Sequence, residues 1–140
     1  MIAFSNSNYY LSAVFLLLLM AEHNLLGSKG EMLAMRYLQG QGYAIHELNW
    51  RSGHKELDIV AQERDVLVFV EVKTRSTNHY GDAADAVTPA KMHNLILAAE
   101  SYVKCKQIDL DVRFDIITVV GIGDNSRIEH IRNAFYPGIS

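Results

Sequence analysis

Asp58, Glu71 and Lys73 are the residues of this 140-residue chain whose types and spacing could do chemistry together. They lie in two β-rich runs, Glu56 to Gln62 (ELDIVAQ) and Val66 to Arg75 (VLVFVEVKTR), separated by the charged stretch Glu63-Arg64-Asp65. Such a pattern reads as an antiparallel hairpin. Strand side chains alternate, so Leu67, Phe69, Glu71, Lys73 and Arg75 share one face, and Val66, Val68, Val70 and Val72 the other. In the first run Glu56, Asp58 and Val60 share a face. A two-residue turn at Arg64-Asp65 sets Glu63 opposite Val66, hence Asp58 opposite Glu71 and Glu56 opposite Lys73. A four-residue turn would slide the pairing but keep the shared face, and a three-residue turn would need a bulge.

Two carboxylates side by side repel unless something positive sits between them. A hard divalent cation, magnesium or manganese, is the natural occupant, with Asp58, Glu71, the Val72 carbonyl, waters and a substrate phosphate oxygen as ligands. Phosphodiester hydrolysis needs an attacking water and relief of charge on the phosphoryl oxygens, and a metal supplies both. Lys73 stands beside these acids, where its ammonium could hold the water or neutralise the phosphate. The plainer alternative is an ordinary Glu56–Lys73 ion pair on a solvated sheet face. Against it, Glu71 and Lys73 continue the face of Leu67 and Phe69 in a strand that is apolar on both sides from Val66 to Val70. A broken rule in a core strand points to a functional site.

The elements that must position these residues follow from periodicity. Ala34, Met35 and Leu38 recur at helical spacing between about Asn24 and Gln39, and Gly40 and Gly42 end that helix. Tyr43 to Trp50 reads as a strand, with a turn around Gly53. Ser76 to Asp85 is a polar loop, and Thr88-Pro89 starts a helix running to about Lys104 with Leu95, Ala98, Ala99, Tyr102 and Val103 as its apolar stripe. Val112 to Val120 is a further strand, and Arg127 to Ile131 a short edge strand. The order predicts an α/β fold, a mixed central sheet flanked by helices.

At 49% hydrophobic, the chain can bury one domain's core without disulfides. Its one cysteine, Cys105, fits the reducing cytoplasm. A net charge of -3 disfavours a broad basic surface for duplex nucleic acid, so phosphate contacts must be local. The six histidines have no short ligand spacing, which makes a zinc site a poor reading. Residues 1–19 form an uncharged apolar extension, too short to span a bilayer comfortably and lacking the marks of a signal peptide; they read as a mis-assigned or disordered start ahead of Met20. One domain over 20–140 with no stable membrane association is the expectation.

The segments GSKGEMLAMRYLQGQGY, LNWRSGHKELDIVAQ and LVFVEVKTR closely resemble the YraN family, a group classed with endonucleases of the PD-(D/E)xK superfamily and related to the RecB and Holliday-junction-resolvase nucleases. The resemblance covers about Leu26 to Phe135 and includes Ala86-Val87-Thr88, Arg113-Phe114-Asp115, Ile128-Glu129-His130-Ile131 and Asn133-Ala134-Phe135. It implies a restriction-endonuclease-like core in which Asp58 and Glu71 hold the metal, Lys73 assists catalysis and Glu31 contributes from the first helix. Lys55 departs from the glycine usual before the Glu56-Leu57-Asp58 element. Glu31 also fits a capping box with Ser28 as N-cap.

Around this centre, Arg51, Arg75 and Lys91 are candidates for phosphate contacts, with Glu56 and Thr74 in supporting positions, while Trp50 reads as core. Asp115 orients its neighbours or pairs within the surroundings of Arg113. The expected function is a magnesium- or manganese-dependent endonuclease acting on DNA, including branched or flap structures, with a two-fold homodimer as the natural oligomer. The alternative is a non-catalytic nucleic-acid-binding or protein-interaction module on a nuclease fold.

Overall fold

A computed structural model describes residues 25–75, 87–121 and 124–137. The extension 1–19, the start at Met20 and the loop Ser76 to Asp85 lie outside the described residues. Seven elements follow in order: α1 (Leu25–Gly40), β1 (Ala44–Ser52), β2 (Lys55–Glu63), β3 (Val66–Arg75), α2 (Pro89–Lys106), β4 (Asp111–Val120) and β5 (Arg127–Phe135). The strands form one mixed sheet in the order β1-β2-β3-β4-β5. Neighbours are antiparallel except β3 and β4, which are parallel and therefore need the crossover that α2 supplies. This is the α/β architecture expected from the sequence, consistent with a restriction-endonuclease-like core.

The two helices cover opposite faces. Leu95, Ala98, Ala99 and Tyr102 of α2 pack over Leu57, Val60, Leu67, Phe69, Phe114 and Phe135. Ala34, Met35 and Leu38 of α1 pack over Ile59, Ala61, Val68, Val70, Ile117 and Val119. The apolar run of β3 is thereby covered above and below, as its two-sided hydrophobicity requires. Trp50 is half-buried and packs against the edge of this core, edge-on to Tyr102 at 5.2 Å. Thr88 caps α2 by accepting from the Lys91 amide at 3.2 Å, a bond typically worth about 1 kcal/mol. At the other helix Gly30 lies so close to Thr74 of β3 that a Cβ there would overlap the threonine hydroxyl.

Two expectations are corrected. The first helix begins at Leu25, so Ser28 lies inside it and does not form the N-cap of a box with Glu31. The last strand runs on to Phe135 instead of stopping at Ile131. Its register against β4 shifts between Phe114 and Ile116, Asn133 turns left-handed at φ 54°, and the orphaned Asn133 amide donates to Asp115 Oδ1 at 2.9 Å. Asp115, fully buried, also accepts from Arg113 Nε at 2.8 Å and contacts His130 Nε2 at 2.8 Å. Burial alone would push its pKa up, but the His130, Arg113 and Asn133 hydrogen bonds outweigh that and hold it down at about 2. Asp115 therefore has a structural account, as the carboxylate that carries the sheet across an irregularity.

Candidate functional site

Of the turns considered, the two-residue one at Arg64-Asp65 is found, with Glu63 opposite Val66, and the β2–β3 ladder runs from there to Ile59 opposite Val70. β3 continues alongside β4 as far as Arg75 opposite Val120. The two strands thus part at Asp58 and Glu71, and the acids stand at the mouth of a fork. Asp58 Oδ2 accepts the Val72 amide at 2.9 Å, replacing the strand partner that β2 no longer offers. Because the amide and carbonyl of one strand residue point to the same edge, the Val72 carbonyl faces the fork as well.

The fork has a cause in β1. Asn49 adopts φ 51°, and its neighbours fall on opposite sides, Leu48 in the α1 layer and Trp50 in the α2 layer. Across the pair, Ile59 sits in the α1 layer and Leu57 in the α2 layer. Both strands turn over at Asn49 and Asp58. Simple alternation, which set Asp58 on the face of Val60, fails here because Leu57 takes that side. The left-handed residue inverts the alternation of faces along the strand and leaves Asp58 at the point of inversion. Asn49 was not singled out from the sequence, although asparagine's tolerance of left-handed backbone is a signal when it interrupts a strand pattern. Its side-chain amide donates to Glu31 Oε2 at 3.0 Å.

The electrostatics are those of crowded acids. Burial, then the charge of Glu71 and a hydrogen bond shared with it, push the Asp58 carboxyl up to about 8, against the pull of the Val72 amide. Burial also raises Glu31, opposed by the Asn49 bond and aided by the charges of Glu56 and Glu71. Glu71, 4% exposed, is met by two cations at one oxygen: Lys91 Nζ lies 2.7 Å and Lys73 Nζ 3.7 Å from its Oε1. Burial opposes the Lys91 charge, but the hydrogen bond and charge of Glu71 hold that ammonium above the ordinary lysine range. A cleft of about 430 Å3 opens here between β2 and the start of α2, lined by His54, Glu56, Asp58, Glu71, Lys91 and Asn94 among others.

The family model described as uncharacterised protein family UPF0102 matches residues 30–119, from the first helix to the end of β4. The chain belongs to the UPF0102 family. A UPF0102 protein of Bacteroides fragilis is 56% identical over 118 residues, covering 84% of this chain and 98% of that relative. One from Bacteroides thetaiotaomicron is 53% identical over 118 residues with the same coverage, and one from Flavobacterium psychrophilum 48% over 117 residues, again covering 84% and 98%. UPF0102 is the YraN family that the sequence resembles.

Within this UPF0102 chain the structure brings together Asp58, Glu71, Val72, Lys73 and Lys91, with Glu31 and Glu56 near enough for their charges to be felt. The plainer alternative, a Glu56–Lys73 ion pair, does not form: Glu56 meets Arg51 at 3.6 Å, both largely exposed at the rim, and Lys73 turns to Glu71. Arg75 ends β3, its carbonyl accepting from Gly121 at 2.8 Å, and Thr74 packs against Gly30. Sequence reasoning also missed Thr118, in register with Lys73, whose buried hydroxyl has no hydrogen-bond partner among the described residues.

Among the described residues no three acidic, histidine or cysteine side chains converge tightly enough to ligate one ion. The fork offers a carboxylate pair and a carbonyl, which suits magnesium or manganese, ions that keep waters and take substrate phosphate oxygens rather than an all-protein cage. It does not suit zinc. Among the described residues no helix is long and apolar enough to cross a membrane.

Proposed function

We propose that this protein is a divalent-metal-dependent nuclease that hydrolyses phosphodiester bonds of DNA, branched or flapped duplexes included, at the β2–β3 fork. The observation that carries the reading is the buried Asp58–Glu71 pair, in which burial first and the charge of Glu71 second push the Asp58 carboxyl up to about 8. A fold gains nothing in stability from such a pair. A magnesium or manganese ion, when bound, would supply the charge the pair lacks and polarise both the phosphate and an attacking water.

The chain's own groups divide the remaining work. Asp58 and Glu71 bind through their oxygens, with Asp58 held in place by the Val72 amide. Lys73 projects from the strand residue two beyond Glu71, and its ammonium orients a water or offsets charge growing on the phosphoryl oxygens. Glu31, steadied by Asn49, accepts hydrogen bonds from ordered water at the edge of the fork. Arg51 at the rim and Lys91 inside the cleft are the cations for phosphate. With so few of them on a chain of net charge -3, nucleic-acid binding is modest and salt-sensitive.

The test is incubation of the purified chain with labelled duplex, flap, junction and single-stranded DNA, and single-stranded RNA, with manganese and with chelator. Manganese-dependent cleavage that disappears in Asp58→Asn and Lys73→Ala supports the reading. Binding without cleavage on every substrate, unchanged in both variants, would leave a non-catalytic nucleic-acid-binding module.

A further inference from the structure

Lys91 is in an unfavourable place for a lysine. It occupies the first turn of α2, directly after Pro89 and Ala90, where the exposed amides and the helix dipole favour acidic side chains, and that turn contains none. A local rule broken in this way calls for a compensating contact. The contact is Glu71: the ammonium sits 2.7 Å from Oε1, closer than Lys73 at 3.7 Å, on a carboxylate that is otherwise sealed from solvent.

Lys91 is therefore the nearer of the two ammonium groups that offset the crowded acid pair in the absence of a metal ion. A divalent cation at Asp58 and Glu71 would be bound to a carboxylate already carrying this ammonium, and like charges a few ångströms apart repel strongly even in a solvated cleft. One of them must leave. Lys73 is anchored on the strand and 29% exposed; Lys91 springs from a helix start, is 45% exposed, and borders the open cleft.

We propose that Lys91 is an exchangeable internal counter-ion: it holds Glu71 in the metal-free protein, is displaced by the divalent cation, and then turns its ammonium to a phosphate of the nucleic acid in the same cleft. This rests on the nuclease reading of the site. It makes metal and nucleic acid mutually reinforcing ligands, because the metal releases the cation that the phosphate uses, and such coupling is reciprocal.

Manganese affinity of the full chain, measured by calorimetry at fixed pH without nucleic acid, tests the first half. Lys91→Met and Lys91→Gln should bind manganese more tightly than wild type, by about fivefold or more, the lower end of ordinary coupling. Lys91→Arg, which keeps the charge, and Lys55→Met, which removes another cation of the cleft that makes no ion pair with Glu71, should stay within about twofold of wild type on the same scale. The second half is read with a fluorescent oligonucleotide: calcium should tighten its binding to wild type relative to chelator, and Lys91→Met should lose that gain. The exchange is overturned if Lys91→Met and Lys91→Gln bind manganese no tighter than a manganese-binding wild type, if Lys55→Met tightens equally, or if Lys91→Met keeps the whole calcium-dependent gain. If neither wild type nor either Lys91 variant binds manganese, the metal-site reading falls along with it.

Discussion

Asn49 ties Glu31 to the crossover of β1 and β2, its amide 3.0 Å from the glutamate's Oε2 while its own backbone stands at φ 51° opposite Asp58. One residue thus governs two acids, Asp58 through the backbone and Glu31 through the side chain. The two effects separate by substitution. Asn49→Gly keeps access to the left-handed backbone and loses only the hydrogen bond, so it should lose about 1 kcal/mol or less in urea unfolding while weakening manganese-dependent stabilisation. Asn49→Ala should lose roughly 1 kcal/mol more, because a Cβ is disfavoured at that φ. Equal stability of the two variants would contradict the backbone role.

Asp58 and Lys73 should move stability and activity in different directions. Asp58 has a folded pKa above its unfolded value of 3.8, so the folded state holds the extra proton and metal-free stability falls as pH rises from about 3.8 toward about 8. Asp58→Asn should flatten that decline, leave the metal-free protein as stable or more stable at neutral pH, and shrink the shift in melting temperature that manganese produces. Lys73→Ala should keep the manganese shift and lose cleavage. If both substitutions cost roughly 0.2 to 1 kcal/mol with no response to manganese, the cluster is an ordinary set of ion pairs and not a metal site.

Asp115 should show the opposite pH behaviour. Its folded pKa of about 2 lies below the unfolded 3.8, so its contribution is complete above that value and is lost as pH falls from 3.8 to 2. Acid unfolding followed by circular dichroism should be steeper in wild type than in Asp115→Asn across that window. The variant should also lose roughly 3 kcal/mol at neutral pH, since Arg113 and His130 are left buried without their carboxylate.

Gly30→Ala tests the approach of α1 to β3. The added methyl meets the Thr74 hydroxyl, and overpacking of this kind destabilises by roughly 1 to 3 kcal/mol. Thr74→Ala in the same chain should recover a large part of that loss, a coupling visible in a double-mutant cycle. Additive effects would mean the helix shifts freely and the two residues are not in close contact.

The hairpin, the two-sided burial of β3 and the acids at its end were legible in the sequence because each depends on local alternation, while the choice of the two-residue turn among the three considered came from the structure. The fork was not. It arises from a left-handed residue in β1 acting on a neighbouring strand, and a period-two pattern contains no term for that, so Asp58 was placed on the face of Val60. The partner of Glu71 was missed for a related reason: Lys91 reaches it from a helix many residues later in the chain, and only the crossover from β3 to β4 brings the two together. For Asp115 the sequence pointed to the surroundings of Arg113, which it does meet, but not to His130 and the Asn133 amide, because these belong to a strand whose second half lies beyond a register shift.

The connection between β2 and β3 also bears on how the chain folds. A hairpin closed by Arg64-Asp65 can form within microseconds, whereas the parallel β3–β4 pairing must wait until α2 has been laid across the sheet. Asp58 and Glu71 therefore meet while the neutralising Lys91 is still part of an unformed helix. In a hairpin not yet covered by the helices the two carboxylates are still solvated and their repulsion is screened, so the cost of bringing them together arises only as α1 and α2 close over the sheet.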